Sequence, residues 1–328
     1  MPPPIVPLPE HGGDLAFATR LYGAPPEGWL DLSTGISPFP YPHAAVPDAA
    51  LRRLPDAADL AALIEAAGAA YGVGRDFDIA AVPGTEIAIR LLPHVLGSPA
   101  ATIVGPTYGS HRDAWQGSSP AQSIAAIADG STAVVVNPNN PDGRIIPPAE
   151  LTRLARRLSA LIVDEAFADV APAASIVPAL AAPNVIVLRS LGKFYGLAGL
   201  RLGFVIAPPD VVARLHRMLG AWPVSGPAIA IGRAALGDAA WATSARARLS
   251  AAAAQLRAAL TRHGLAIAGG TDLFVLNDHA DAPALHINLA QRGIWTRAFA
   301  DHPRWLRFGV PDDAGLARLD AALSAIRR

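Results

Sequence analysis

Cysteine is absent from all 328 residues. That excludes disulfides, thiolate zinc sites and a cysteine nucleophile, and leaves the redox compartment open. Net charge is absent as well: 27 Lys and Arg balance 27 Asp and Glu, so no overall field draws the chain to nucleic acid or to an anionic membrane. Long apolar runs are also missing. The mean hydropathy of +0.31 comes largely from alanine, and each apolar stretch is cut by Pro, Arg or Asp well short of a membrane span. Residues 1–9 are proline-rich, with no basic run leading into an apolar stretch. They read as an extended arm rather than a secretion signal, and a cytoplasmic protein is the default. What is left is a chain long enough for a full core and an enclosed site, whose expected partner is a small molecule.

Short β-branched runs alternate with longer Ala/Leu-rich stretches. Residues 101–104, 133–136, 161–163, 185–188 and 204–207 predict buried strands, and 56–71 and 148–159 have helical spacing. Such alternation implies an α/β fold, a largely parallel central sheet flanked by helices, with functional groups gathered at the carboxyl ends of the strands. Past Pro208 the pattern changes to alanine-rich helices over 228–237 and 241–263. Short strands near Leu273, Leu285 and Leu306 and a helix from Asp312 follow. The expected organisation is a large domain over residues 42–208 and a smaller α+β domain made of 1–41 and 209–328. No fixed-period repeat is present.

Four elements carry chemistry. Arg189-Ser190-Leu191-Gly192-Lys193 follows a predicted strand, with Arg201 eight residues beyond the lysine. Cationic neighbours disfavour a protonated amine, and a neutral amine is what attacks an aldehyde; the same cations suit a phosphate dianion. A surface strand followed by a basic helix start reads equally well. A phosphate loop does not, since Phe194 follows the lysine and the preceding glycine is missing. In the second element, Leu161-Ile162-Val163-Asp164-Glu165-Ala166-Phe167, a buried strand ends in an acid that should face a cation. A helix N-cap or a magnesium-binding aspartate fits that pattern too. Third is the rigid turn Asn137-Pro138-Asn139-Asn140-Pro141, for which turn chemistry alone is an adequate explanation. Fourth, Pro83-Gly84-Thr85-Glu86 opens an apolar helical run whose free amides suit a phosphate, although capping boxes look much the same.

Taken in order, Gly84-Thr85-Glu86, Pro106-Thr107-Tyr108, the Asn-Pro turn ending at Pro141, Asp164-Glu165-Ala166, Ser190-x-x-Lys193 and Arg201 resemble the class I/II aminotransferases of pyridoxal 5'-phosphate (PLP) fold type I. The likeness runs over essentially the whole chain. It implies that Lys193 holds PLP as a Schiff base, that Asp164 partners the pyridine nitrogen and that Asn140 donates to the ring hydroxyl. Tyr108 would stack on the ring, and Ser190, Arg201 and the amides of Gly84, Thr85 and Glu86 would hold the cofactor phosphate. Lys193, Asp164 and Tyr108 are then the catalytic set. Arg307, in Trp305-Leu306-Arg307-Phe308, matches the arginine that grips the α-carboxylate; without the resemblance it is an edge-strand arginine.

Within that family, His11-Gly12-Gly13-Asp14, the stretch Trp29 to Pro38 around Gly35, and Ala221-Trp222-Pro223 are similar to the cobalamin-pathway L-threonine 3-O-phosphate decarboxylases. This branch implies a phosphorylated amino-acid substrate, a homodimer, and His11, Gly35, Asn140, Arg297 and Arg307 as substrate-binding residues, with Arg297 and His11 on the phosphate. A histidinol-phosphate or other amino-acid aminotransferase is the alternative. A PLP-sensing regulator would need a DNA-binding module, and no such module is evident. Three positions depart from the family pattern: Phe167 stands where most relatives carry tyrosine, Leu54 where many carry tyrosine, and Ser37 where asparagine is usual.

Overall fold

The computed structural model describes residues 11–326, so the arm expected over residues 1–9 lies outside the described residues. The chain divides into two compact units, one running to Pro38 and resuming at Arg246, the other spanning Phe39–Ala245. Residues 209–245, expected in the smaller part, group with the larger unit instead. The helix Pro209–Leu219 packs on the strand Asp78–Val82 and on the helix Thr85–Leu96, and Gly226–Gly237 packs on Ala57–Tyr71. These helices have their apolar faces covered inside the larger unit, which is why the change of pattern after Pro208 is not the boundary.

The larger unit is built on a seven-stranded sheet. Its strands are β1 (Asp78–Val82), β2 (Thr102–Val104), β3 (Ser119–Ala121), β4 (Thr132–Val136), β5 (Ala160–Asp164), β6 (Val185–Ser190) and β7 (Gly203–Ala207). In space they run β1-β7-β6-β5-β4-β2-β3. Strands β3, β2, β4, β5 and β6 pair in parallel, whereas β7 is antiparallel to both of its neighbours. Two reversals leave β1 pointing the same way as β6. The carboxyl ends of β1, β4, β5 and β6 and the start of β7 therefore meet at one edge.

Strands β4 to β7 are buried along their whole length, as continuous apolar runs covered on both faces should be. One cover is the helix Thr85–Leu96, whose Ala88, Ile89 and Leu92 pack with Val134, Ile162, Leu188 and Val205. Another is Ala57–Tyr71, started by Asp56, which accepts from the Ala58 amide, and stopped by Gly72 in the left-handed region at φ 69°. Its Leu63, Ala67 and Tyr71 recur at helical spacing and are buried.

The other unit holds a four-stranded antiparallel sheet. Its strands are β8 (Ala266–Thr271), β9 (Phe274–Asp278), β10 (Arg297–Ala298) and β11 (Trp305–Gly309), in the order β10-β11-β9-β8. Leu30–Asp31 pairs in parallel with Ile294–Trp295, and Trp295 is buried among Phe17, Tyr22 and Trp29. The strand expected near Leu285 is instead the helix Ala282–Ala290. Asp281 caps it by accepting from the Ala284 amide, Pro283 sits in its first turn, and burial follows Ala282, Leu285, His286, Leu289 and Ala290. Among the described residues no helix is long and apolar enough to cross a membrane.

Candidate active site

At the edge where those strand ends meet lies a cavity of about 140 Å³, lined by Gly84, Thr85, Glu86, Tyr108, Asn140, Asp164, Phe167, Ser190, Lys193 and Arg201 among others. Each side chain arrives there for a local reason. Asp164 is the last residue of β5 and only 3% exposed. Its Oδ1 accepts from the Ala166 amide at 3.0 Å and its Oδ2 lies 2.9 Å from His111 Nε2. His111, on the short helix Gly109–Ala114, is itself buried. A carboxylate taken so far out of water needs such partners, and the pair fixes which way Asp164 points.

Asn140 follows β4 on a turn held by its neighbours. Asn137 donates to the carbonyls of Ile146 and Ala174 and accepts from the Ile146 amide at 2.8 Å. Asn139 donates to the Pro106 carbonyl and accepts from the Thr107 hydroxyl at 2.6 Å. With both amides spent on the loop, Asn140 is the one that lines the cavity.

Another part of the cavity lining is suited to an anion. Gly84 caps the helix Thr85–Leu96, whose first-turn amides lack intrahelical partners. A Cβ built on Gly84 would stand 2.5 Å from Arg201 Nη2, and its φ of +85° is glycine territory. The glycine is what lets the guanidinium cross the helix start. Arg201 is held in the left-handed region at φ 52°, which costs a non-glycine residue about 1 kcal/mol or more. Ser190 ends β6 and Lys193 follows it within the turn Leu191–Phe194, its Nζ 5.7 Å from the Phe167 ring centre. The Tyr108 hydroxyl donates to Glu86 Oε2 at 3.1 Å. Burial first, and the Glu86 charge, push that phenol up to about 12, so it stays protonated.

Beneath the cavity is a buried ionic cluster. Arg189 donates to Glu165 at 2.8 Å and to Asp169, and its guanidinium lies 4.2 Å from the Tyr71 ring centre. Burial works against the Arg189 charge, but Asp169 and Glu165 outweigh it and hold the side chain protonated. Burial also raises the Glu165 carboxyl. Glu165 follows Asp164 and Arg189 precedes Ser190, so the cluster ties the ends of β5 and β6 together. Sequence reasoning missed both His111 and this cluster. Each joins residues far apart in the chain, and the nearest local signal is that His111 stands three residues after Tyr108.

The remaining candidates lie in the other unit. Arg307 is buried, donates to the Ser33 carbonyl at 2.8 Å and sits over Phe274. It stands directly across from Arg297 in the β10–β11 pairing. His11 and Arg297 line a small cavity of about 10 Å³ with Gly12, Ser33, His286, Trp295, Thr296 and Ala298. Gly12 has no room for a side chain, since a Cβ there would meet the Ser33 carbonyl oxygen at 2.3 Å. Gly35 is buried and lines neither cavity. Of the departures from the family pattern, Leu54 is 67% exposed, Ser37 is buried, and Phe167 presents its ring to Lys193.

A lysine amine, a backed carboxylate and an anion cradle lining one cavity fit a phosphorylated aldehyde with a basic ring nitrogen. A family model described as aminotransferase class I and II matches residues 50–323. A threonine-phosphate decarboxylase from Sinorhizobium sp is 44% identical over 99% of this chain and 99% of its own length. Another from Pseudomonas aeruginosa is 42% identical over 96% and 97%. The solved structure of a histidinol-phosphate aminotransferase from Sinorhizobium meliloti, in complex with pyridoxal-5'-phosphate, superposes with a TM-score of 0.80 at 22% identity, covering 99% of this chain and 97% of that one.

Proposed function

This chain belongs to the class I and II aminotransferase family, and we propose that within it the protein decarboxylates L-threonine 3-O-phosphate to (R)-1-amino-2-propanol 2-phosphate, a step of cobalamin biosynthesis. The observation that carries this reading is the identity of 44% and 42%, over nearly the full chain, with two threonine-phosphate decarboxylases. PLP is the cofactor. When bound, it supplies an electron sink for the pair released as a bond at the substrate's Cα breaks.

The protein's own groups divide the remaining work. Lys193 offers the amine that anchors the aldehyde, and Asp164, steadied by His111, offers the counter-charge to the ring nitrogen. Arg201, the Ser190 hydroxyl and the helix start at Gly84, Thr85 and Glu86 take the cofactor phosphate; Tyr108 and Asn140 face and orient the ring. Tyr108, held protonated near 12, is a poor proton carrier at neutral pH. Lys193 Nζ is the group that delivers a proton to Cα once the carboxylate has left. Arg307 takes the carboxylate, and Arg297 with His11 takes the substrate phosphate.

Neither threonine phosphate nor PLP crosses a membrane unaided as a phosphate dianion, which suits a cytoplasmic enzyme. A homodimer is supported by the family resemblance and by the apolar side chains of Leu51 and Trp222, 68% and 57% exposed. The test is product analysis with threonine phosphate and no keto acid. Carbon dioxide supports the reading, and turnover that needs a keto acid makes the protein an aminotransferase.

A further inference from the structure

The small cavity beside Arg297 contains a group with no part in the chemistry so far. His286 lies on the buried face of the helix Ala282–Ala290, 2% exposed, among Ala282, Leu285, Leu289 and Ala290. Its ring centre is 4.7 Å from that of Trp295. An apolar side chain would fill this place with nothing left to satisfy. Instead, Nδ1 meets the Thr296 hydroxyl at 2.8 Å and Nε2 has no hydrogen-bond partner among the described residues. A buried polar atom left without a partner is disfavoured, so it points to a partner beyond the described residues, such as a water or a ligand.

The surroundings say what kind of group that is. His286 shares the cavity with Arg297 and His11, and no carboxylate is among the described lining residues. Burial first, and the Arg297 charge second, lower the imidazole to about 4, so it is neutral at neutral pH and does not repel the guanidinium. The contact between Nδ1 and the Thr296 hydroxyl suits either tautomer; we assign the one in which the hydroxyl donates to Nδ1, which puts the proton on Nε2 and makes it a donor toward an anion. The cavity's 10 Å³ is room for about one water and too little for a phosphate. An anion would sit at its mouth with a water between it and the ring.

We propose that His286 is a specificity-determining residue of the anion subsite at Arg297, giving an uncharged hydrogen bond through one ordered water to the phosphate of the substrate. The proposal rests on the reading of Arg297 as the phosphate-binding arginine. Arg297 supplies charge, which any anion satisfies. A neutral donor fixed by Thr296 adds direction, which favours a tetrahedral phosphate over a planar carboxylate.

The test uses the PLP-loaded protein, so that the cofactor's own phosphate site is filled. Inorganic phosphate and threonine phosphate are titrated calorimetrically into wild type and into His286→Phe, which keeps the ring and removes both nitrogens. We expect phosphate to bind His286→Phe about tenfold more weakly. KM for threonine phosphate should rise by a similar factor while kcat stays within about threefold, and unphosphorylated threonine should be unaffected. His286→Gln, which keeps an N–H donor, recovers part of the loss. Thr296→Val leaves the imidazole in place and frees its tautomer; about a threefold weakening is expected, and it serves as the second arm if His286→Phe does not fold. Equal phosphate affinity in wild type and in the folded variants overturns the proposal, as do equal losses on threonine and threonine phosphate. If wild type binds threonine phosphate but releases no carbon dioxide, the decarboxylase reading falls, and the phosphate titration still decides the role of His286.

Discussion

Arg297 and Arg307 face each other across the β10–β11 pairing. Like charges at directly opposed positions destabilise a sheet by a few tenths to about 1 kcal/mol. A substrate with two separate anions offsets that repulsion, and the two arginines are expected to divide its carboxylate and phosphate between them. Arg297→Ala should therefore lower kcat/KM for threonine phosphate at least about tenfold and barely alter the poor turnover of threonine. Arg307→Ala should injure both substrates. Lysine at position 297 should rescue only in part, because an ammonium cannot form the bidentate fork. Steady-state kinetics on the two substrates decides it: equal losses from Arg297→Ala on both would show that this side chain does not read the phosphate.

At the scale of elements, the anion cradle depends on one backbone position. Gly84 has φ +85° and leaves no space for a methyl group, which would stand 2.5 Å from Arg201 Nη2. Gly84→Ala would strain the helix start by about 1 kcal/mol or more and displace the guanidinium. Titration of PLP into the cofactor-free variant should show affinity weakened at least about tenfold relative to wild type. An unchanged Kd would mean that the approach of Arg201 over Gly84 has no bearing on cofactor phosphate.

The strand ends that build the larger cavity are legible in sequence because each couples a β-branched run to an abrupt polar turn: Val136 to Asn137, Val163 to Asp164, Leu188 to Ser190. Such junctions signal burial and exposure within a few residues. Leu285-His286-Ile287-Asn288-Leu289 misleads for the opposite reason. It alternates apolar and polar residues like a half-buried strand, and only the Asp281 cap and Pro283 make it a helix. Strand alternation assigns His286 to the wet side, whereas helical spacing places it on the buried one. His111, the Arg189 cluster and the facing of Arg297 with Arg307 depend on pairings between distant segments, which a linear reading does not reach.

For the molecule as a whole, balanced charge and a surface that carries Leu51, Leu54 and Trp222 at 68%, 67% and 57% exposure suit self-association. Light scattering of the PLP-loaded protein should give twice the monomer mass, and an active monomer would contradict the homodimer. Decarboxylation and transamination differ in which bond at Cα is broken. The most direct measurement is turnover of threonine phosphate labelled with carbon-13 at the carboxyl, in heavy water and without any keto acid. A decarboxylase should release labelled carbon dioxide in equal amount to aminopropanol phosphate carrying one deuterium on the former Cα, with Lys193→Ala inactive. Deuterium exchange at Cα with the label retained, and product formed only when a keto acid is added, would make the protein an aminotransferase instead.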